Sequence, residues 1–178
     1  MIKKYVDGLI QVIEQIPFTK VEQLVESLRL ARSQGNTIFV FGNGGSATTA
    51  AHLACDLGKS TVKNGEPRFR VITLHEPATL TAYANDVAYG SVFSEPLRSL
   101  GQAGDIALGI SCSGNSENVL QAMMAARELG MKTVGLTGFQ GGKMAKLVDQ
   151  CIIVPSEDMQ HLEDAHLIMC HALFRALL

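Results

Sequence analysis

The segment Phe39-Val-Phe-Gly-Asn-Gly-Gly-Ser46 joins a short apolar run to a glycine-rich turn that ends in serine, and a helical pattern follows it. A second segment, Gly109-Ile-Ser-Cys-Ser-Gly-Asn-Ser116, has the same layout. Glycines let the backbone approach an anion, serine hydroxyls donate hydrogen bonds, and a helix N-terminus adds free N–H groups and the positive end of the helix dipole. The two segments therefore predict two strand-to-helix loops that bind a phosphorylated ligand.

Apolar runs alternate with helical patterns along the rest of the chain. Continuous apolar strands between helices are typical of an α/β protein whose parallel sheet is covered on both faces. Ligands of such sheets bind at the carboxyl ends of the strands, where both serine loops fall. The predicted strands are 37–41, 69–74, 105–110, 132–137 and 150–154, and the predicted helices are 3–15, 19–34, 47–58, 78–84, 90–100, 115–129, 143–147 and 157–178.

Length and composition narrow the class of protein. The 178 residues predict a single domain, 1–178, with an N-terminal helical pair at 1–34 and an αβα core at 37–178. A net charge of −2 offers no basic surface for nucleic acid, and no apolar run reaches the ~20 residues of a membrane span. The four cysteines lack CxxC spacing, which favours reduced thiols and a cytoplasmic protein.

The two loops match other phosphate- and nucleotide-binding motifs less well. The Gly42–Ser46 turn is not followed by Gly-Lys-Ser/Thr, so it is not a Walker loop, and it lacks the GxGxxG of a dinucleotide fingerprint. A glycine-rich turn without a ligand stays possible for this loop alone. The three serines and the asparagine of the second loop favour a ligand with several acceptor oxygens. Cys112 lies between two of those serines and is either a small filler or a reactive thiol.

Histidines and carboxylates cluster on two of the predicted helices. His52 and Asp56 are four residues apart and share one helix face. On the last helix, Glu163 and His171 are separated by about 80° in angle and ~12 Å in rise. They can serve one site only if that helix passes along it or if another chain contributes. The pattern indicates a metal or acid–base site, although its spacing is not a standard zinc signature.

Taken together, these motifs resemble the sugar isomerase (SIS) domain family and, within it, the phosphoheptose isomerase branch. The resemblance covers nearly the whole chain. It implies a three-layer αβα sandwich around a five-stranded parallel sheet, assembled as a homotetramer with sites between subunits. It rests on the two leading helices and on Gly42-Asn-Gly-Gly-Ser46, His52, Ala84-Asn-Asp86, Ser111-x-Ser-Gly-Asn-Ser116, Leu136-Thr-Gly138 and Glu163-x-x-His-x-x-x-x-His171.

The resemblance also implies the ligand-binding residues. The phosphate would be held by Ser111, Ser113, Ser116 and the backbone around Cys112. The remaining substrate-binding residues would be Asn43, Gly44, Gly45, Ser46, Asn85, Asp86 and Gln160.

A metal site is implied as well. Zinc or another divalent ion, one per subunit, would be bound by His52, Asp56, Glu163 and His171. Asp56 and Glu163 stand where the family usually has glutamate and glutamine, and both can ligate zinc through oxygen. Asp56 and His171 would form the acid–base pair.

The implied activity is an aldose–ketose isomerisation. It would convert D-sedoheptulose 7-phosphate to D-glycero-D-manno-heptose 7-phosphate through an enediol. Two alternatives stay open: a non-catalytic SIS protein of the DnaA initiator-associating type, which binds a sugar phosphate and a protein partner, and an isomerase for a different sugar phosphate. The presence of His52, a nearby carboxylate and His171 favours an enzyme.

Overall fold

A computed structural model describes residues 1–178 and contains all five predicted strands. The strands are β1 Thr37–Gly42, β2 Arg70–Thr73, β3 Ile106–Ile110, β4 Lys132–Thr137 and β5 Gln150–Ile153. The α-helices are α1 Ile2–Glu14, α2 Phe18–Gln34, α3 Gly45–Cys55, α4 Pro77–Asp86, α5 Ser94–Leu100, α6 Glu117–Glu128, α7 Met144–Leu147 and α8 Met159–Leu177.

The strands form one parallel sheet in the order β2-β1-β3-β4-β5. The order reverses between β1 and β3, since β2 lies on one side of β1 and the later strands lie on the other. Gly42 pairs with Ile110, so the two strands end at the same level. In open α/β sheets this switch point is where ligands bind. The fold therefore brings the two serine loops together at one place.

The core fills both faces of the sheet, as the apolar strands predict. Successive strand residues point to opposite faces, so Ile38 and Val40 pack with α2, α3 and α8, whereas Phe39 and Phe41 pack with α5 and α6. All six residues of β1 are buried. The αβα sandwich predicted from the sequence is confirmed.

Two predicted helices differ from the observed ones. The helix predicted at 47–58 is α-helical only to Cys55 and continues as a π-helical turn, Asp56–Ser60. The helix predicted at 90–100 is a 3₁₀ turn, Tyr89–Ser91, followed by α5. The π turn begins at Asp56, one of the predicted metal ligands, and such turns are frequent at functional sites.

Apolar side chains remain exposed on the outer helices. Ile2, Val6 and Ile10 form a stripe at four-residue steps along α1, and α4 has no buried residue at all. None of the helices combines the length and apolar character that crossing a membrane requires. The exposed stripe and α4 are surfaces that a second copy of the chain could cover.

Candidate active site

A cavity of about 150 Å³ opens where β1 and β3 end. Its wall is mostly hydroxyl and amide groups, which suit an anion better than an apolar ligand. The residues that line it are Asn43, Ser46, Ile110, Ser111, Cys112, Ser113, Ser116, Met159 and Glu163. The structure thus brings both predicted serine loops to one cavity.

The Ser111–Ser116 loop presents its donors to this cavity. Ser116 is the N-cap residue of α6, yet its side chain does not cap the helix, and its Oγ lies 3.1 Å from the Oγ of Ser111. The amide groups of Glu117 and Asn118 therefore remain available to an anion, together with the positive end of the helix dipole, whereas the Val119 N–H donates to Asn118 Oδ1 at 3.0 Å. Both features match the predicted phosphate subsite.

Asparagine side chains fix the neighbouring loop. The amides of Asn43 and Asn118 exchange two hydrogen bonds, each 2.9 Å long, and the Tyr89 hydroxyl donates to Asn43 Oδ1 at 3.0 Å. Asn118 is 3% exposed, so this pair forms inside the protein. Asn43 is consequently held at the cavity wall before any ligand arrives.

Glu163 occupies the same cavity. Its carboxylate lies against the backbone of Gly45, and a Cβ at position 45 would stand 2.6 Å from Glu163 Oε2. Only a glycine leaves room for the carboxylate in this position. The predicted metal ligand Glu163 is thus found beside the serines rather than with the histidines.

The other three predicted ligands do come together. The ligand atoms of His52, Asp56 and His171 all lie within 4.8 Å of one another. His52 Nε2 is 3.1 Å from His171 Nε2 and 3.4 Å from Asp56 Oδ2. Ligands at 2.0–2.1 Å from a tetrahedral ion are separated by roughly 3.3 Å, so these two spacings are compatible with a divalent metal ion. Three protein ligands also leave a fourth position for substrate.

The cavity and the His52–Asp56–His171 triad lie at two places along the same pair of helices, α3 and α8. Glu163 lies beside Gly45 and His171 beside His52, so α8 and α3 run in the same direction along each other. The rise from Gly45 to His52 is about 10 Å. A ligand can therefore place an anionic end among the serines and its other end at the triad.

Cys112 is not set up as a nucleophile. Burial raises the pKa of its thiol, and the nearby Glu163 carboxylate raises that pKa further. The thiol therefore stays protonated at neutral pH, and the nucleophile is the thiolate. The small-filler interpretation suits this environment.

His166 lies behind the cavity and is 1% exposed. Its Nε2 is 3.2 Å from the carbonyl oxygen of Thr137, and its Nδ1 is 3.9 Å from Cys112 Sγ. Burial lowers the pKa of His166 to about 4. This imidazole is therefore neutral at pH 7. It contacts the second serine loop through Cys112.

The buried His166 predicts a loss of stability in acid. Because the unfolded chain binds this proton near pH 6.5 and the folded chain only near pH 4, the stabilisation is complete above pH 6.5 and is lost as the pH falls towards 4. The loss amounts to roughly 3 kcal/mol. Urea unfolding at pH 7, 5.5 and 4 measures this loss. Between pH 7 and pH 4, the free energy of unfolding should fall by about this amount less in His166→Leu than in wild type. Equal losses in wild type and variant would contradict the assignment.

The structure does not bring every predicted residue to the cavity. Asn85 and Asp86 are exposed at the end of α4 and hydrogen-bond to each other at 2.7 Å. Gln160 is exposed in the first turn of α8, where Met159 faces the cavity instead. Sequence reasoning also missed Asn118 and Tyr89, which hold Asn43. The signal available for Asn118 was an asparagine directly before the apolar residues Val119 and Leu120.

Comparisons with known proteins agree with this arrangement. Residues 3–138 match the family model described as SIS domain. The chain is 41% identical over 172 residues to the phosphoheptose isomerase of Aliarcobacter butzleri (strain RM4018), covering 94% of this chain and 88% of that protein.

Solved structures agree as well. The phosphoheptose isomerase of Francisella tularensis superposes with a TM-score of 0.92 at 30% identity, covering 99% of this chain and 95% of that one. The phosphoheptose isomerase of Neisseria gonorrhoeae gives 0.92 at 31% identity, with 99% and 96% covered.

Proposed function

Because this chain belongs to the SIS domain family and to its phosphoheptose isomerase branch, we propose that it converts D-sedoheptulose 7-phosphate to D-glycero-D-manno-heptose 7-phosphate. The observation that carries the proposal is the packed pair of helices α3 and α8. It has a phosphate-type cavity at one end and a triad of ionisable groups at the other. A sugar with a phosphate at one end and a carbonyl near the other matches both ends.

The serine loop binds the phosphate and thereby positions the sugar. Ser111, Ser113 and Ser116 donate to the phosphate oxygens, and the N-terminus of α6 adds its amide groups. Asn43 and Ser46 contact the sugar hydroxyls from the first loop. Holding the phosphate in this way fixes C1 and C2 near the triad, which favours the reaction through orientation.

The triad supplies the proton transfer. The reaction moves a proton from C1 to C2 through an enediol, while a proton also passes between the two adjacent oxygens. We assign Asp56 and His171 to these transfers, since a base must lie within reach of C1 and an acid within reach of the oxygens. A divalent ion held by His52, Asp56 and His171 would polarise the carbonyl and hydroxyl oxygens, and Asp56 and His171 would then exchange protons only through the carboxylate oxygen and the ring nitrogen that do not bind it.

Metal dependence tests this proposal. Protein purified without chelator should hold about one divalent ion per chain, since one donor set fits one ion. Removing the ion should abolish most turnover of sedoheptulose 7-phosphate, and zinc should restore it. The matched variant Cys55→Ser, next to the triad but outside it, should behave as wild type. A metal-free protein that turns over normally would contradict the proposed site, and absence of both metal and turnover would favour the regulatory SIS alternative.

We also propose that the protein is a homotetramer with its sites near subunit contacts. The apolar stripe on α1 and the wholly unburied α4 support this assembly. Asn85 and Asp86 lie on α4 outside their own cavity, so an assembly would let them serve a neighbouring site. Sedimentation equilibrium should give the mass of four chains, and the mass of one would contradict the assembly. Four free cysteines support a reducing compartment such as the cytoplasm.

A further inference from the structure

His75 follows the end of β2 and reaches the first residue of the glycine-rich loop. Its Nε2 lies 3.0 Å from the carbonyl oxygen of Gly42 and 3.3 Å from the Gly42 nitrogen. Neither the sequence motifs nor the mechanism above uses this histidine. Its neighbour Glu76 only caps α4.

The contact between His75 and Gly42 lies where β1 extends beyond the end of β2. The last residue pair between β1 and β2 is Val40 with Thr73, whereas β1 continues to Gly42. The N–H and C=O of Gly42 therefore face the β2 side without a strand partner, and buried backbone groups need one. The imidazole of His75 stands where the next residues of β2 would otherwise pair.

The surroundings select one tautomer. Nδ1 of His75 is buried and has no hydrogen-bond partner, and the ring stands edge-on to Phe93 at 5.5 Å. If Nδ1 carried the proton, Nε2 would accept from the Gly42 N–H at 3.3 Å, but a buried Nδ1–H donor would be unpaired and the Nε2 lone pair would lie 3.0 Å from the Gly42 oxygen. The Nε2–H tautomer instead donates to that oxygen over the shorter of the two distances, so His75 serves the Gly42 carbonyl and not the Gly42 N–H. Burial lowers the pKa of His75, which keeps the ring neutral.

The position of Gly42 affects the positions of residues that line the cavity. A Cβ at Gly42 would stand 2.6 Å from the Ile110 carbonyl oxygen and 2.8 Å from Ser46 Cβ. Gly42 is thus enclosed by Ile110 and Ser46 on one side and by His75 on the other. A shift of Gly42 must move Ser46 and the adjacent Asn43, which both line the cavity.

We propose that His75 is a positioning residue for substrate binding: its Nε2–H holds the Gly42 carbonyl, so that the Gly42–Ser46 loop presents Asn43 and Ser46 to the sugar phosphate. This assignment rests on the proposed function for the ligand it names. It concerns binding rather than proton transfer, since His75 contacts the loop and not the triad.

The test compares variants that keep or lose the donor. His75→Gln places an amide nitrogen at the reach of Nε2, whereas His75→Asn reaches only as far as Nδ1, and His75→Ala has neither. Binding of sedoheptulose 7-phosphate is measured by isothermal titration calorimetry, together with KM, kcat and the unfolding temperature. Thr133→Val is the matched control, because it removes buried hydrogen bonds to Asp149 at the opposite end of the strands.

We expect His75→Ala and His75→Asn to bind about tenfold more weakly, with KM raised and kcat changed less than twofold. His75→Gln should stay within about twofold of wild type. Thr133→Val should lower the unfolding temperature without changing KM.

If His75→Ala does not fold, the comparison of substrate binding by His75→Gln and His75→Asn tests the proposal instead. Equal binding by wild type and all folded variants, or equal losses in the glutamine and asparagine variants, would overturn the positioning role alone. No binding by the wild type would overturn the proposed function as well.

Discussion

Replacing His171 with alanine is expected to lower kcat about 10³-fold while the sugar phosphate still binds. General acid–base catalysis contributes on the order of 10²–10⁴ to a rate. His171 lies within the triad, and the phosphate cavity lies about 10 Å away along α3. The loss should therefore appear in kcat, measured by steady-state kinetics, and not in the affinity measured by calorimetry.

The same helix offers a control. His161 also lies on α8, but its ring lies against that of Tyr5, with a centroid distance of 4.6 Å and a tilt of 46°, and does not join the triad. His161→Ala should keep wild-type kcat. Full activity of His171→Ala would refute the acid–base assignment. Metal analysis of the variant distinguishes loss of a ligand from loss of a proton carrier, because only the first lowers metal content.

Replacing Gly114 with alanine is expected to destabilise the protein by roughly 3–5 kcal/mol and to weaken phosphate binding. Gly114 has a φ of +62°, and a Cβ there would stand 2.1 Å from the carbonyl oxygen of Gly141. The obstacle is backbone, so the two loops must separate. Since Gly114 lies within the Ser111–Ser116 loop, the hydroxyls that face the cavity move with it.

Gly35 provides the comparison for backbone strain alone. It has a φ of +73° at the end of α2, and nothing lies within 4 Å of a Cβ built there. Gly35→Ala should therefore cost only about 1 kcal/mol and leave binding unchanged. Urea unfolding gives both values. Similar losses in the two variants would show that packing of Gly114 against Gly141 is not what holds the loop.

The fold was predictable because its signals are local. The apolar run that becomes β1 is buried over its whole length, and glycine ends α2 at Gly35 in the left-handed conformation that the residue favours. The point where α3 becomes a π-helical turn was not predictable, since Asp56–Ser60 contains no proline and keeps a helical pattern. The residue types alone do not mark where the hydrogen-bonding pattern changes.

The candidate site was predictable in part. The i,i+4 spacing placed His52 and Asp56 on one face, but their meeting with His171 depends on how α8 lies along α3. Side-chain direction on α8 could not be derived from spacing, so the carboxylate of Glu163 was expected with the histidines and lies beside Gly45. No sequence motif indicates a role for His75, because that role depends on where β2 ends relative to β1.

The most direct test of the account is proton NMR of the purified protein with sedoheptulose 7-phosphate in deuterated water, with and without zinc. We expect the ketose signals to decline and the anomeric signals of a heptose 7-phosphate aldose to appear, faster with zinc. The C2 position should carry either deuterium or the proton transferred from C1, as an enediol path requires. An unchanged ketose spectrum, from protein that holds metal and binds the sugar phosphate, would contradict the isomerase assignment.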